Sequence, residues 1–156
     1  MFGEGEDKNF TKQALTTVVI SIILVFTIHT SLKYGLNTDD PLVVVVSGSM
    51  EPTFERGDVL ILKNGSNIEV GDVVTYRNPG EEIPIVHRVR KIIKEENKKY
   101  YVTWGDNNAI PDTYINENGK KLPGVPKKAI ENEAIFVVPK IGYFSLLIRG
   151  KWNNPT

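Results

Sequence analysis

The sequence predicts a mostly β protein in which a single N-terminal transmembrane helix precedes a compact β domain. Residues 14–32 are apolar and contain no Asp, Glu, Lys or Arg. After Pro41 the pattern changes to short β-branched runs separated by turn residues, which is typical of β strands. The length of 156 residues is enough for one such domain and its anchor.

The apolar segment is long enough to span a bilayer. At a rise of about 1.5 Å per residue its 19 residues reach roughly 28 Å, close to the thickness of a hydrocarbon core. A core helix of a soluble protein would carry a polar face, and a signal peptide would be followed by a small-residue cleavage site; neither is evident. We therefore expect a tail at 1–13, an anchor at 14–33 and a linker at 34–41.

Residues 42–140 are predicted to form the β domain, followed by an apolar tail at 141–156. The dipeptide Asn64-Gly65 favours a β-hairpin turn. Residues 105–130 form the longest irregular stretch, and long loops in compact domains often carry function. The predicted strands are Leu42–Val46, Val59–Leu62, Val70–Tyr76, Ile83–Ile93, Tyr100–Trp104 and Ala134–Val138.

The composition excludes several kinds of chemistry. The 19 Lys and Arg residues balance 19 Asp and Glu residues, so we expect no nucleic-acid partner. Cysteine is absent, which removes a thiol nucleophile, disulfides and thiolate metal ligands. The only histidines are His29, inside the apolar segment, and His87. A histidine metal site is therefore hard to build, and we expect neither a metal nor a cofactor.

A candidate nucleophile lies at the end of the first predicted strand. Residues 43–53 read VVVVSGSMEPT, and Gly48 permits a tight backbone between the hydroxyls of Ser47 and Ser49. A serine at a strand end can direct its Oγ and its own N–H toward one point, as a nucleophile with an oxyanion hole requires. Taken alone, Ser-Gly-Ser also fits an ordinary turn.

His87 is the candidate general base. It lies in an apolar, alternating run and is the only histidine outside the predicted anchor. An imidazole, whose ordinary pKa is about 6.5, can accept a serine proton at neutral pH. Either Asp106 or Asp112, both in the long irregular stretch, could orient the imidazole and stabilise its cation. The residue types leave both aspartates open.

The order and spacing of these motifs resemble signal peptidase I, in its archaeal and endoplasmic-reticulum branch. The similarity runs from residue 43 to about 130 and covers most of the predicted β domain. Together the motifs are highly specific, although each alone is weak. The similar segments are Ser47–Pro52 for the nucleophile, Arg56–Leu60, Gly71–Val74 with Ile85–Val89 for the general base, and Gly105–Asp112 for the acidic residues.

The resemblance implies a β domain of the signal peptidase type and assigns roles by position. Ser49 matches the nucleophile, and His87 occupies the position where bacterial relatives carry a catalytic lysine. Asp112 matches the aspartate that completes the site, and Asp106 is a nearby acidic residue of importance. The oxyanion hole is expected to combine the Ser49 N–H with the hydroxyl of Ser47.

The resemblance also implies a function. It is that of a membrane-bound serine endopeptidase that removes signal peptides from secretory preproteins by acyl transfer. The expected partners are preproteins with small residues at the cleavage site, the lipid bilayer and the translocation machinery. Lys8 and Lys12 precede the anchor and Lys33 follows it, which favours a cytoplasmic N-terminus and a catalytic domain on the translocated side. The membrane would be the cell membrane, or the endoplasmic reticulum in a eukaryote.

Three alternatives remain open on the sequence. A Ser/Lys dyad would use a lysine such as Lys63 or Lys91, which must be desolvated to act as a base. A non-catalytic, membrane-anchored β subunit of a protein-export complex would be expected to lack a catalytic residue. A self-cleaving peptidase of the repressor type would need a DNA-binding domain where the anchor lies.

Overall fold

A long N-terminal helix precedes a β domain in this structure, a computed structural model that describes residues 4–143. The helix, α1, extends from Glu4 to Leu36. Its part from Asn9 to Leu36 is apolar, 28 residues long and not buried in the protein, so it could cross a membrane. The anchor predicted at 14–33 lies within this helix. The predicted C-terminal tail lies outside the described residues from 144 onward.

Antiparallel strands and the loops between them form the rest of the described chain. The strands are β1 (Leu42–Val44), β2 (Val59–Asn64), β3 (Val73–Tyr76), β4 (Ile85–Glu95), β5 (Lys98–Trp104), β6 (Tyr114–Ile115), β7 (Lys121–Leu122), β8 (Val125–Pro126) and β9 (Ile130–Val138). Seven of them form one curled sheet in the order β1-β2-β9-β3-β4-β5-β8, and β6 pairs with β7. The predicted fold class, a mostly β domain behind one apolar helix, is therefore confirmed.

The core lies on the inward face of the curled sheet. In β2, the fully buried Leu60 and Leu62 alternate with the partly exposed Val59 and Ile61, which is the two-residue period of a strand. Burial of such apolar side chains is the main stabilising contribution to the domain. Two apolar clusters result, one around Leu60, Leu62 and Val45, the other around Val74, Tyr76, Val89, Tyr101 and Val125.

Each of the six predicted strands is present, but the hairpin predicted at Asn64-Gly65 is wrong. β9, from the far end of the chain, lies between β2 and β3, so these two strands do not pair. The Gly65 N–H instead donates to the Glu131 carbonyl of β9 at 3.3 Å. The tight hairpin turn is formed by Glu96 and Asn97, which both have positive φ and join β4 to β5.

The central strands bring three polar side chains to one inward-facing surface. The register pairs Val74 with His87 and Val89 with Thr103. Since side chains alternate along each strand, Tyr76, His87 and Thr103 lie on the same face. All three are buried. The sheet therefore fixes their relative positions before any loop contributes.

Asp106 connects the loop after β5 to its neighbours. Its carboxylate accepts hydrogen bonds from Nε and NH2 of Arg88 at 2.8 and 2.6 Å, and from Arg90 at 2.6 Å. The hydroxyl of Thr53, in the loop before β2, donates to it at 2.6 Å. The hydrogen-bonded Arg88 guanidinium lowers the pKa of Asp106 from 3.8 to about 2, with smaller contributions from Thr53 and Arg90. Asp106 is therefore ionised at neutral pH.

We predict that Asp106→Asn lowers the melting temperature at neutral pH, and that this difference from wild type shrinks as the pH falls from about 4 to about 2. A carboxyl group whose pKa is lower in the folded chain stabilises the fold above its unfolded pKa. That contribution is lost as the pH falls through the folded value. The change from 3.8 to about 2 corresponds to about 2 kcal/mol at neutral pH. Thermal unfolding followed by circular dichroism over this pH range measures it.

Asp72→Asn is the matched control, because the carboxylate of Asp72 accepts the backbone N–H of Glu69 at 2.8 Å rather than a guanidinium. Its effect on the melting temperature should be smaller. Equal effects of the two substitutions at neutral pH, or a difference for Asp106→Asn that persists unchanged at about pH 2, would contradict the prediction.

Candidate active site

His87 joins a serine and an aspartate through the two nitrogens of its ring. Its Nε2 lies 3.0 Å from Ser49 Oγ, and its Nδ1 lies 2.7 Å from Asp112 Oδ2. Both are hydrogen-bond distances. With the Nδ1 proton donated to the carboxylate, the Nε2 lone pair faces the serine hydroxyl. This is the arrangement in which a histidine can take a proton from a serine.

Ser49 is held in place by the loop that follows β5. Asn107 donates its backbone N–H to the Ser49 carbonyl at 2.9 Å and its side-chain amide to the Gly48 carbonyl at 3.1 Å. On the other side of Ser49, the Met50 side chain is almost completely buried. A hydroxyl in an otherwise irregular loop is thus fixed opposite the imidazole.

Gly105 permits the close approach of these two loops. A Cβ at this position would lie 2.2 Å from the Ser49 carbonyl oxygen and 3.0 Å from His87 Nε2. The first distance is far inside van der Waals contact, so a larger residue would push the Ser49 loop away from His87. Steric exclusion of a Cβ therefore explains why a glycine occupies this position of the predicted acidic motif.

The carboxylate of Asp112 accepts three hydrogen bonds at one oxygen. Besides His87 Nδ1, the hydroxyls of Tyr76 and Thr103 each donate to Oδ2 at 2.8 Å. The Asp112 N–H also donates to the Thr103 carbonyl at 2.8 Å, which ties this part of the chain to β5. Burial raises the pKa of Tyr76 far above its ordinary value, so the phenol stays protonated and remains a donor.

The two candidate aspartates are separated in space. Asp112 is hydrogen-bonded to His87, whereas Asp106 is hydrogen-bonded to Arg88 and Arg90. Because neighbouring residues of a strand point to opposite faces, Arg88 leaves β4 on the side away from His87. Of the two aspartates that the sequence left open, only Asp112 is within hydrogen-bonding distance of the imidazole in the described structure.

Ser47 lies beside the candidate nucleophile. Its Oγ is 3.2 Å from Ser49 Oγ, with Gly48 between them in the chain. A hydroxyl at this position can donate a hydrogen bond to negative charge that develops next to Ser49 Oγ during attack on a carbonyl. The structure thus brings together Ser47, Ser49, His87 and Asp112, and leaves Asp106 in a separate ion cluster.

A cleft of about 710 Å³ opens at Ser49 and His87. One wall is formed by residues 42–47 and the other by residues 81–87. The first wall contains β1, an edge strand whose only neighbour in the described sheet is β2. A cavity of similar size, about 790 Å³, lies at the other end of the sheet near β5 and β8 and contains none of these polar groups.

The lysines considered as alternative bases are not positioned for that role. Lys63 forms an ion pair with Glu133 at 3.2 Å, and Lys91 is exposed on β4. Among the described residues, the hydrogen-bond partners of Ser49 Oγ are the side chains of His87 and Ser47. Among residues 9–143, whose side chains the structure describes, no group of three or more Asp, Glu or His side chains is arranged to hold a metal ion.

Tyr76 and Thr103 are site residues that the sequence pattern alone does not identify. Tyr76 ends a run that is predicted as a strand for its apolar residues, and Thr103 lies in a strand rich in aromatic residues. The available signal is alternation, because Thr103 has the same orientation as the buried Tyr101. A hydroxyl buried in this way needs a hydrogen-bond partner, but the sequence does not say which.

Known proteins match this chain over the residues that form the site. The Peptidase S24-like family matches residues 23–125. The signal peptidase complex catalytic subunit SEC11 of Clavispora lusitaniae is 40% identical over 145 residues, covering 85% of this chain and 82% of that protein. SEC11 of Scheffersomyces stipitis is 39% identical over 137 residues, with 85% and 82% covered. SEC11 of Yarrowia lipolytica is 36% identical over 148 residues, with 90% and 86% covered.

The resemblance predicted from the motifs is confirmed by these matches, which include the segments around Ser49, His87 and Asp112. The chain belongs to the Peptidase S24-like family, in the endoplasmic-reticulum-type branch of signal peptidase I.

Proposed function

We propose that this chain is a membrane-bound serine endopeptidase that removes signal peptides from secretory preproteins. The observation that carries the proposal is the hydrogen-bonded line from Ser49 through His87 to Asp112, which opens into a cleft. The similar SEC11 proteins are named as catalytic subunits of the signal peptidase complex. We extend that activity to this chain, with preproteins that have small residues at the cleavage site as substrates.

In the proposed acylation step, Ser49 Oγ attacks the carbonyl carbon of the scissile peptide bond. His87 Nε2 takes the serine proton, and Asp112 stabilises the imidazolium and keeps Nδ1 as the donor. The carbonyl oxygen becomes an oxyanion, which the Ser49 N–H and the Ser47 hydroxyl would stabilise. The C–N bond then breaks as His87 protonates the leaving amine, and the signal peptide remains esterified to Ser49.

Deacylation repeats the proton transfers with water in place of the serine. His87 Nε2 takes a proton from a water molecule, whose oxygen attacks the ester carbon. The ester bond breaks, and the proton on His87 returns to Ser49 Oγ. The signal peptide leaves with a free carboxylate, and no further reactant is needed.

An extended peptide suits the cleft. One of its walls begins with the edge strand β1, whose free side has N–H and C=O groups that can pair with another extended chain. The opposite wall, residues 81–87, ends at His87. A preprotein segment lying between these walls would present its backbone carbonyl to Ser49. We propose this as the binding mode for the cleavage region.

The position of the helix supports a membrane-bound substrate. Asp40 lines the cleft and follows the end of α1, at Leu36, by four residues. Four residues span at most about 14 Å, so one end of the cleft lies close to the end of the helix. We propose that α1 spans the membrane with a cytoplasmic N-terminus and that the β domain faces the translocated side. Other subunits of a signal peptidase complex, or translocation machinery, would be its partners.

We predict that Ser49→Ala and His87→Ala each lower kcat/KM for preprotein cleavage by at least about 10³-fold, because each removes a group that acts only in the transition state. The full-length chain is assayed in detergent or liposomes, using variants whose thermal unfolding matches wild type. Lys63→Ala and Lys91→Ala are controls that should cleave like wild type. Full activity of Ser49→Ala would contradict the assignment of Ser49 as the nucleophile. No activity in folded wild type would favour the non-catalytic subunit or show that a partner subunit is required.

Asp112→Asn should lower kcat by about 10²–10⁴-fold, because the amide cannot fix the same ring tautomer or stabilise the imidazolium. Asp106→Asn should have a smaller effect on kcat and a larger effect on the melting temperature, since Asp106 is bonded to arginines rather than to His87. Steady-state kinetics and thermal unfolding of both variants measure this. The reverse pattern would show that Asp106 is the residue that orients the base.

Ser47→Ala should lower kcat roughly 10²-fold with little change in KM, because an oxyanion donor acts mainly in the transition state. Ser66→Ala is the matched control, since Ser66 is an exposed serine in the turn after β2 and should be neutral. A rise in KM at unchanged kcat would instead assign Ser47 to ground-state substrate binding.

A further inference from the structure

We propose that Tyr76 and Thr103 are positioning residues that act through Asp112 and set the pH range over which His87 works as a base. The inference rests on the proposed function, because it concerns the base of that reaction. Neither residue lines the cleft, and neither contacts Ser49 through a hydrogen bond. Any effect on catalysis must therefore pass through the carboxylate they share with His87.

The two hydroxyls come from the strands on either side of the strand that carries His87. Tyr76 lies at the end of β3 and Thr103 near the end of β5, and each side chain is about 1% exposed. Asp112 itself comes from an irregular loop, so the sheet does not fix its side chain. Two donors from rigid strands hold Oδ2 at 2.7 Å from His87 Nδ1. The two hydroxyls thus orient Oδ2 toward the ring, and each also takes up part of its negative charge.

The charges around the pair leave Asp112 as the carboxylate that contacts the imidazole. Across β4, Asp106 is compensated by Arg88 and Arg90. On the cleft side, Glu81 and Glu82 line the same wall as His87 without a hydrogen bond to it in the described structure. Tyr76 remains neutral. The strongest electrostatic interaction of the His87 ring is therefore with the Asp112 carboxylate. The two hydroxyl dipoles weaken this interaction.

Removing one hydroxyl should strengthen the electrostatic interaction between Asp112 and the protonated His87 ring. With one donor fewer, more of the Asp112 charge is directed at Nδ1, and the protonated ring is favoured. The acidic limb of the pH–rate profile should then move to higher pH. A buried hydroxyl that only fills its own hydrogen-bonding requirement would not produce this shift, because its removal would change stability and leave the limb in place.

Thr103→Val and Tyr76→Phe test the inference by preprotein cleavage across pH with the full-length chain. Each should lower kcat about threefold to tenfold, leave KM unchanged and move the acidic limb to higher pH. Thr103→Ser, which keeps the hydroxyl, should restore the wild-type limb. Thr75→Val and Tyr101→Phe are matched controls, because both remove a buried hydroxyl that does not contact Asp112.

A second readout does not depend on turnover. In the Ser49→Ala background, the His87 ring is titrated by NMR with and without Thr103→Val; the chain's other histidine is His29, so two ring signals are expected. The titration midpoint of His87 should rise when the Thr103 hydroxyl is removed. This measurement stands even if cleavage requires a partner subunit.

Two outcomes would overturn the inference. One is a wild-type kcat and a wild-type acidic limb in both Thr103→Val and Tyr76→Phe. The other is a lower kcat with an acidic limb that has not moved, when Thr103→Ser fails to restore the kcat. Activity retained in Ser49→Ala would instead overturn the proposed function itself. The two failures are therefore distinguishable within one set of variants.

Discussion

The site depends on one steric constraint, the close approach of two loops at Gly105. The loop after β1 brings Ser49, and the loop after β5 brings Asp112, but neither loop has regular structure of its own. They meet where a single Cβ would collide with the Ser49 carbonyl. Asn107 then bonds to the Ser49 loop, and Asp112 bonds to β5. The packing of two irregular segments against a rigid sheet thus defines a geometry that neither segment could hold alone.

The two aspartates of the second loop have separate physical roles. The charge of Asp106 is compensated by Arg88 and Arg90, so this carboxylate stabilises the junction between the loops. Its electrostatic interaction with the imidazole is therefore weak. Asp112 is paired with neutral hydroxyls instead, and its charge is available to a protonated His87. Strand alternation separates the two environments, because consecutive residues of β4 face opposite sides. The two faces of one strand therefore contact carboxylates in two different environments.

How far the sequence predicts this structure depends on the range of each signal. Alternating β-branched runs are local, so the strands around Leu60 and His87 could be predicted. Motif order selected Ser49, His87 and two aspartates as candidates for the site. The residue types alone left Asp106 and Asp112 open, and the structure shows that Asp112 lies within hydrogen-bonding distance of His87. Asn64-Gly65 misled because a hairpin dipeptide carries no information about β9, which inserts between β2 and β3. Tyr76 and Thr103 depend on register between strands, which no local pattern encodes.

The short connection between α1 and β1 keeps the end of the helix close to the cleft. Thr38 is hydrogen-bonded to Asn132 of β9, and Lys33 at the end of the helix pairs with Asp39 at 2.9 Å. The helix end is thereby tied to the sheet a few residues before the chain enters the cleft wall. A substrate held by the same membrane would meet the cleft at a high effective concentration, without contacts that strengthen binding to the product. Under the proposed function, such an enzyme would combine weak peptide recognition with efficient cleavage, since the bilayer would bring the substrate to the cleft and the edge strand would align it.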